Sequence, residues 1–228
     1  MESFDGSVLW FSLPYLWKGL QYSLFLTFTA MVGGIICGSF LAMARLSGIR
    51  IIERLAGLYV NFFRSIPLIL VIFWLYFLVP LLLQGMTKTE QPITIGSDQT
   101  ALISFILFES AYYCEIIRAG IQSVPSGQRN AAKALGLNYL QQMRYVIMPQ
   151  AFHTMLPVLL TQTIVLFQDT SLVYVISGTD FLGAASKIAQ RDSRLVEMYS
   201  FVALVYFILC YLVSQGVKRL QHQPSFKV

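Results

Sequence analysis

The stretch LQYSLFLTFTAMVGGIICGSFLAMA, residues 20–44, contains no charged side chain. It is longer than the roughly 20 residues a helix needs to cross a bilayer core, so this segment is read as a membrane span. Working outward, residues 65–86 are equally free of charge, and 198–217 form a third such run that closes on Lys218 and Arg219. Two more apolar segments carry isolated charges: 99–118, with Glu109, Glu115 and Arg118, and 155–177, with Asp169. Across the chain 56% of residues are hydrophobic and 12% charged, against about 25% charged in a soluble domain. The expectation is an all-α integral membrane protein with spans at about 20–44, 65–86, 99–118, 155–177 and 197–217.

Five spans place the termini on opposite sides, and lysine and arginine accumulate on the cytoplasmic side. With the N-terminus outside, the cytoplasmic segments hold Arg45, Arg50, Arg54, Arg64, Arg118, Arg129, Lys133, Arg144, Lys218, Arg219 and Lys227, eleven of the sixteen basic residues. The net charge of +5 therefore reads as orientation rather than nucleic-acid binding. The organisation expected is a periplasmic segment at 1–18, one membrane domain at 19–220 and a cytoplasmic tail at 221–228. Glu2 and Asp5 replace the basic start of a signal peptide, so the first span is expected to stay in the mature protein.

Several chemistries lack their residues. The pattern GxxxxGK[ST] is absent, so nothing here cradles a nucleotide, and ATP and its magnesium would belong to a separate subunit. No metal spacing occurs, and neither cofactor nor catalytic residue is expected. Cys37, Cys114 and Cys210 each fall in an apolar span, where thiols serve more often as small packing groups than as disulfide partners. The outer connections, 85–99 and 178–197, carry no catalytic pattern. Residues 49–63 suit either an amphipathic helix at the interface or a plain extension of the second span. Gly34 and Gly38 form a GxxxG that lets a helix backbone come close.

A polar elbow, GQRNAAKALGLNYLQQMRYVIMP at 127–149, separates the third and fourth spans. Residues 128–135 are strong helix formers, and Gly136 stands where a left-handed glycine would end the helix. A second helix is expected from Asn138 towards Ile147, with Pro149 resetting the chain for the next span. The small face of Ala131 and Ala132 fits a narrow groove, while Arg129 and Lys133 lie four apart and suit an acidic rim. The elbow is either a docking helix or a connecting loop.

Ala131, Ala132, Gly136, Val146, Met148 and Pro149 follow the order and spacing of the EAA loop of ABC-importer permeases, and this elbow resembles it, at 123–149. The chain departs from that motif at Asn130, where glutamate is usual, and at Val146 and Met148. YVNFFRSIPLILVIFWLYF at 59–77, FESAYYCEIIRAGIQSVPSGQ at 108–128 and FQDTSLVYVIS at 167–177 look like the hallmark segments of polar amino-acid permeases, and the text is most similar to the glutamate/aspartate type. The resemblance implies a type I importer permease in a bacterial inner membrane, without catalysis of its own. It implies as partners ATPase subunits, a periplasmic binding protein and a second permease copy or homologous permease. Asn130, Ala131, Ala132, Lys133, Leu135, Gly136 and Pro149 are the implied coupling residues.

Ionisable groups inside a membrane face a bundle interior or a pathway. Glu109, Tyr112, Tyr113 and Ile116 fall on one helical stripe, which either lines a path or forms a helix–helix hydrogen-bond cluster. Gln168, Asp169, Thr170 and Ser171 concentrate polar groups in the fourth span and favour the path. An amino acid needs an anion for its ammonium, which Asp169 or Glu109 would provide, and a cation for its carboxylate. Arg64 is the best candidate for the latter, its alternative being an interfacial arginine. Glu115 and Arg118, three apart, suit a gate or structural pair. The rival classes are an ion-coupled secondary transporter, against which the lack of an inverted repeat argues, and a membrane scaffold.

Overall fold

The computed structural model describes residues 7–87 and 93–221, and every regular element among them is helical. We label the helices α1 (Ser7–Arg45), α2 (Arg50–Ser65), α3 (Leu68–Thr87), α4 (Ser97–Ser123), α5 (Ser126–Ala134), α6 (Tyr139–Ile176), α7 (Phe181–Arg191) and α8 (Leu195–Gln221). Five of them, α1, α3, α4, α6 and α8, are long and apolar enough to span a membrane. Of the N-terminal segment expected at 1–18, residues 1–6 lie outside the described part and the rest belong to α1; of the tail expected at 221–228, residues 222–228 lie outside it. The helix carrying the first span starts well before residue 20, since Pro14 and Lys18 are accommodated on exposed faces of α1.

The α1–α4 pair is the centre of the bundle. Gly33, Gly34 and Gly38 bring α1 onto α4: a Cβ at Gly38 would lie 2.9 Å from the Cys114 nitrogen and from the Ser110 carbonyl oxygen. Gly33 faces Ile106 and Gly38 faces Cys114, so the two helices run in the same direction. The GxxxG is thus an internal contact of this chain. On one side α6 runs against α4, with Met155 packed on Gly120 and Ala151 and Met155 buried in the cluster of Ala111, Cys114 and Ile117.

α2 is a helix in its own right. Ile66 is extended (φ −119, ψ 149) ahead of Pro67, as a residue before proline prefers, and α3 starts only at Leu68. Ala56, Gly57 and Val60 are buried while Ile51, Leu55 and Leu58 stay exposed. The Tyr59 hydroxyl donates to the Leu107 carbonyl at 2.8 Å, which pins α2 across α4.

Residues 178–197 form more than a loop. Phe181, Ala184, Ala185, Ile188 and Ala189 bury one face of α7 against Leu16 of α1 and Met198 and Val202 of α8. Asp180 caps α7, accepting from Leu182 N at 3.0 Å and Gly183 N at 3.3 Å, and Phe181 N donates to Ser23 Oγ of α1 at 3.0 Å. Those apolar positions sit at i, i+3, i+4, i+7 and i+8, a helical stripe that the flanking Lys187, Arg191 and Asp192 obscure.

α3 and α6 share a device. Each contains a wide, i→i+5 turn, Trp74–Leu78 in α3 and Met143–Ile147 in α6. Val79 N–H bonds the Trp74 carbonyl and Met148 N–H bonds the Met143 carbonyl. The next residue is a proline in both cases, Pro80 and Pro149. A proline ring collides with the carbonyl four residues back, and the wide turn moves that carbonyl aside. Pro149 therefore does not reset the chain: the helix that starts after Asn138 runs through it into the fourth span.

Candidate functional site

Three features gather the residues singled out above. The first is a cavity of ≈240 Å³ between α3, α4 and α6, lined by Pro67, Leu68, Ile69, Phe108, Tyr112, Gln162, Val165, Asp169 and Leu172. Asp169 and Tyr112 give it a carboxylate and a phenol, and Gln162 an amide, against otherwise apolar walls. Glu109 is fully buried beside it, and Gln162 Nε2 donates to its two oxygens at 3.2 and 3.1 Å. The stripe on α4 divides. Tyr112 turns to the cavity, whereas Tyr113 is buried against Gly34 and Gly38 of α1. The polar run on α6 divides too. Gln168 is exposed and does not line the cavity, Ser171 is half-buried, and Thr170 Oγ1 donates to the Phe167 carbonyl of its own helix at 2.7 Å.

The second feature is a charge cluster where α1, α2 and α4 meet. Glu115 Oε2 accepts from Arg118 Nε at 3.0 Å and Nη2 at 2.6 Å, and its Oε1 accepts from Arg45 Nη1. Arg64 Nη1 is 3.8 Å from the same Oε1, and its guanidinium carbon lies 5.6 Å from the centre of the Tyr112 ring, a cation–π distance. The expected Glu115–Arg118 pair is present, but it is half of a four-residue group. Arg45 was counted in the sequence only as an orientation charge, because its partner lies seventy positions away.

The third feature is the elbow. α5 ends in a Schellman turn: Gly136 is left-handed (φ 75), its N–H bonds the Lys133 carbonyl at 2.9 Å, and Leu137 N–H bonds the Ala132 carbonyl at 3.2 Å. α6 opens on a capping box, with Gln141 N donating to Asn138 Oδ1 and Asn138 N to Gln141 Oε1. Two expectations change here. Ala132 is 3% exposed and turned inward, so of that pair only Ala131 offers its side chain outward. Arg129 folds back, its Nη2 donating to the Ile121 and Val124 carbonyls at 3.3 and 3.4 Å. Those acceptors are the carbonyls at the end of α4, so Arg129 joins the elbow to α4 and, of the expected pair, only Lys133 is left as an exposed cation. Asn130 and Leu135 are exposed, and Tyr139 and Leu140, which the motif does not include, are 69% and 76% exposed.

Residues 8–223 match the family of binding-protein-dependent transport system inner membrane components. The chain belongs to this family. It is 48% identical over 225 residues to the glutamate/aspartate import permease protein GltK of Escherichia coli O6:H1 (strain CFT073), covering 99% of this chain and 100% of that protein. It is 30% identical to the glutamine transport system permease protein GlnP of Escherichia coli K12, over 96% of this chain and 97% of the relative. The solved structure of an amino acid ABC transporter with histidines superposes with a TM-score of 0.87 at 30% identity, over 96% of this chain and 99% of that one. The architecture is therefore that of type I ABC-importer permeases, and this family member is a membrane component of an amino-acid importer, not an enzyme.

Proposed function

We propose that this permease carries glutamate and aspartate inward, and that the cavity between α3, α4 and α6 is part of their path. What supports this most is Asp169, a carboxylate on a membrane-spanning helix that opens into a cavity and not onto a helix neighbour. A charge in that position is costly unless a pathway or a polar ligand uses it, and the ammonium of an amino acid supplies the opposite sign. The likeness to a glutamate/aspartate permease names the substrate.

In this reading the elbow lies in the cytosol, as the distribution of arginine and lysine requires, and Asn130, Ala131, Lys133 and Leu135 meet an ATPase subunit. ATP and its magnesium bind that subunit. The cavity is completed by a second permease, itself or a homologue, because an open face bearing Asp169 does not suit lipid. A binding protein delivers substrate on the opposite side, and ATP-driven approach of the ATPases moves the elbow. α6 carries that movement to Gln162 and Asp169, since one continuous helix links them to the capping box at Asn138.

The test is uptake of radiolabelled glutamate by proteoliposomes holding the permease, its ATPase and its binding protein. Uptake that requires ATP and ignores proton and sodium gradients is expected. Uptake driven by an ion gradient without the ATPase would overturn the reading in favour of secondary transport, and no uptake under either condition would leave a scaffold.

A further inference from the structure

The charge cluster around Glu115 does not balance. Three guanidinium groups, from Arg45, Arg64 and Arg118, share one carboxylate. Both oxygens of Glu115 are already engaged by hydrogen bonds, one by Arg45 and one by two donors of Arg118. Arg118 has a further partner in Gln122, at 2.7 Å. Arg64 is left with an ionic contact at 3.8 Å, beyond hydrogen-bond length. It is also the most open of the three, at 43% exposure against 18% for Arg45 and 27% for Arg118.

Its position is as telling as its charge. Arg64 lies in the last turn of α2, shortly before Pro67 and Leu68, which line the cavity; it is not itself part of the lining, but its guanidinium lies over Tyr112, which is. A guanidinium over a ring face keeps its N–H edges available to donate. A planar fork with spare donors matches a carboxylate through two parallel hydrogen bonds.

We infer that Arg64 is a carboxylate-binding residue beside Tyr112 at the cavity, left without a hydrogen-bonded partner because Arg45 and Arg118 occupy Glu115, so that a substrate carboxylate takes its free donors. The inference rests on the cavity being an amino-acid path. It gives a zwitterion that carries at least one carboxylate two opposite charges to meet, Asp169 on the cavity wall and Arg64 over the ring of Tyr112. It also gives Glu115 a positioning role: by occupying Arg45 and Arg118 it prevents them from competing for the same anion.

The experiment is equilibrium binding of radiolabelled L-glutamate, and of its diamide, to the purified permease–ATPase complex in nanodiscs without the binding protein, alongside uptake by the complete transporter. The wild type is expected to prefer glutamate to the diamide by about tenfold or more, the worth of a charge-assisted hydrogen-bonded pair. Arg64→Gln should abolish that preference and weaken glutamate binding by a similar factor, while ATPase co-purification holds. Arg64→Lys, which retains the charge and loses the fork, should fall between and covers the case in which the glutamine variant does not assemble. Unchanged affinity and unchanged preference in either variant overturns the inference, as does a wild-type complex that imports glutamate yet does not bind it. If the wild type imports a different amino acid, the substrate proposed above fails, and the same series with that amino acid and its carboxyl amide decides the role of Arg64. Failure to import any amino acid refutes the pathway itself.

Discussion

Replacing Leu135 and Leu140 with serine separates docking from folding in the elbow. Leu135 is 80% exposed and Leu140 76%, so in the isolated chain their side chains make little contact to lose. The expected change in the permease's own stability is within about 0.5 kcal/mol for each. On a partner surface the sum is different, because full burial of a leucine side chain contributes about 1.5–3 kcal/mol. With about three-quarters of each side chain available to be covered, each truncation should cost about 1–2 kcal/mol of association, or roughly 5–30-fold in Kd. Ala132→Arg is the opposite case. At 3% exposure the site has no room for a guanidinium, and burying one unpaired damages the elbow itself. The assay is titration of the purified ATPase onto nanodisc-embedded permease, with thermal unfolding of each variant measured in parallel. Serine variants that melt like the wild type and bind the ATPase several-fold more weakly are expected, with Ala132→Arg lowering the melting temperature. Wild-type ATPase affinity in the double serine variant would refute the idea that this exposed face docks.

Gly38→Val puts a branched side chain where a single Cβ already stands 2.9 Å from backbone atoms of α4; the α1–α4 contact should open, and folded yield in detergent should fall sharply, while the same change at exposed Gly216, where a Cβ meets nothing within 4 Å, should be tolerated. Asp169→Asn should leave expression and ATPase binding near wild type and reduce glutamate uptake at least tenfold; unimpaired uptake would remove Asp169 from the path. Asp180, between α6 and α7, has its carboxyl pushed up to about 7 by burial, a shift that the Leu182 and Gly183 amides oppose. Because the folded-state value is raised, its contribution is present below about pH 4 and is lost as pH rises through about 7. Melting temperature should therefore decline over that window, and Asp180→Asn, which keeps a capping oxygen, should flatten the decline; an unchanged slope would show that Asp180 does not set it.

The membrane spans were legible because lipid imposes a long, one-sided composition that needs no knowledge of contacts. The Schellman turn at Gly136 was legible for a similar reason: its chemistry is local. Long-range partners were not. Glu109 could be marked as costly, but its holder, Gln162, is an unremarkable amide on another helix. Arg45 read only as an orientation charge and Arg64 as a carboxylate ligand or an interfacial arginine, and neither reading contained Glu115, since nothing in their neighbourhood along the chain announces it. Pro149 misled because proline usually ends a helix, and the wide turn that absorbs it leaves no composition of its own. Arg129 and Ala132 misled in direction: helical spacing gives relative faces, and only packing against the end of α4 says which face is inward. α7 was readable by its periodicity and was hidden by the charges within it and at its C-terminal end.

The claim that ties these features together is that the Asp169 cavity is alternately open to the two sides of the membrane under control of the elbow. The most direct measurement is labelling of Val165→Cys, on the cavity wall, in a background with Cys37, Cys114 and Cys210 replaced by alanine, using a membrane-impermeant thiol reagent applied from each side of proteoliposomes holding the assembled transporter. The account predicts labelling from one side without nucleotide and from the other when the ATPase is trapped with a non-hydrolysable ATP analogue. Labelling from the same side in both states, or from neither, would contradict it.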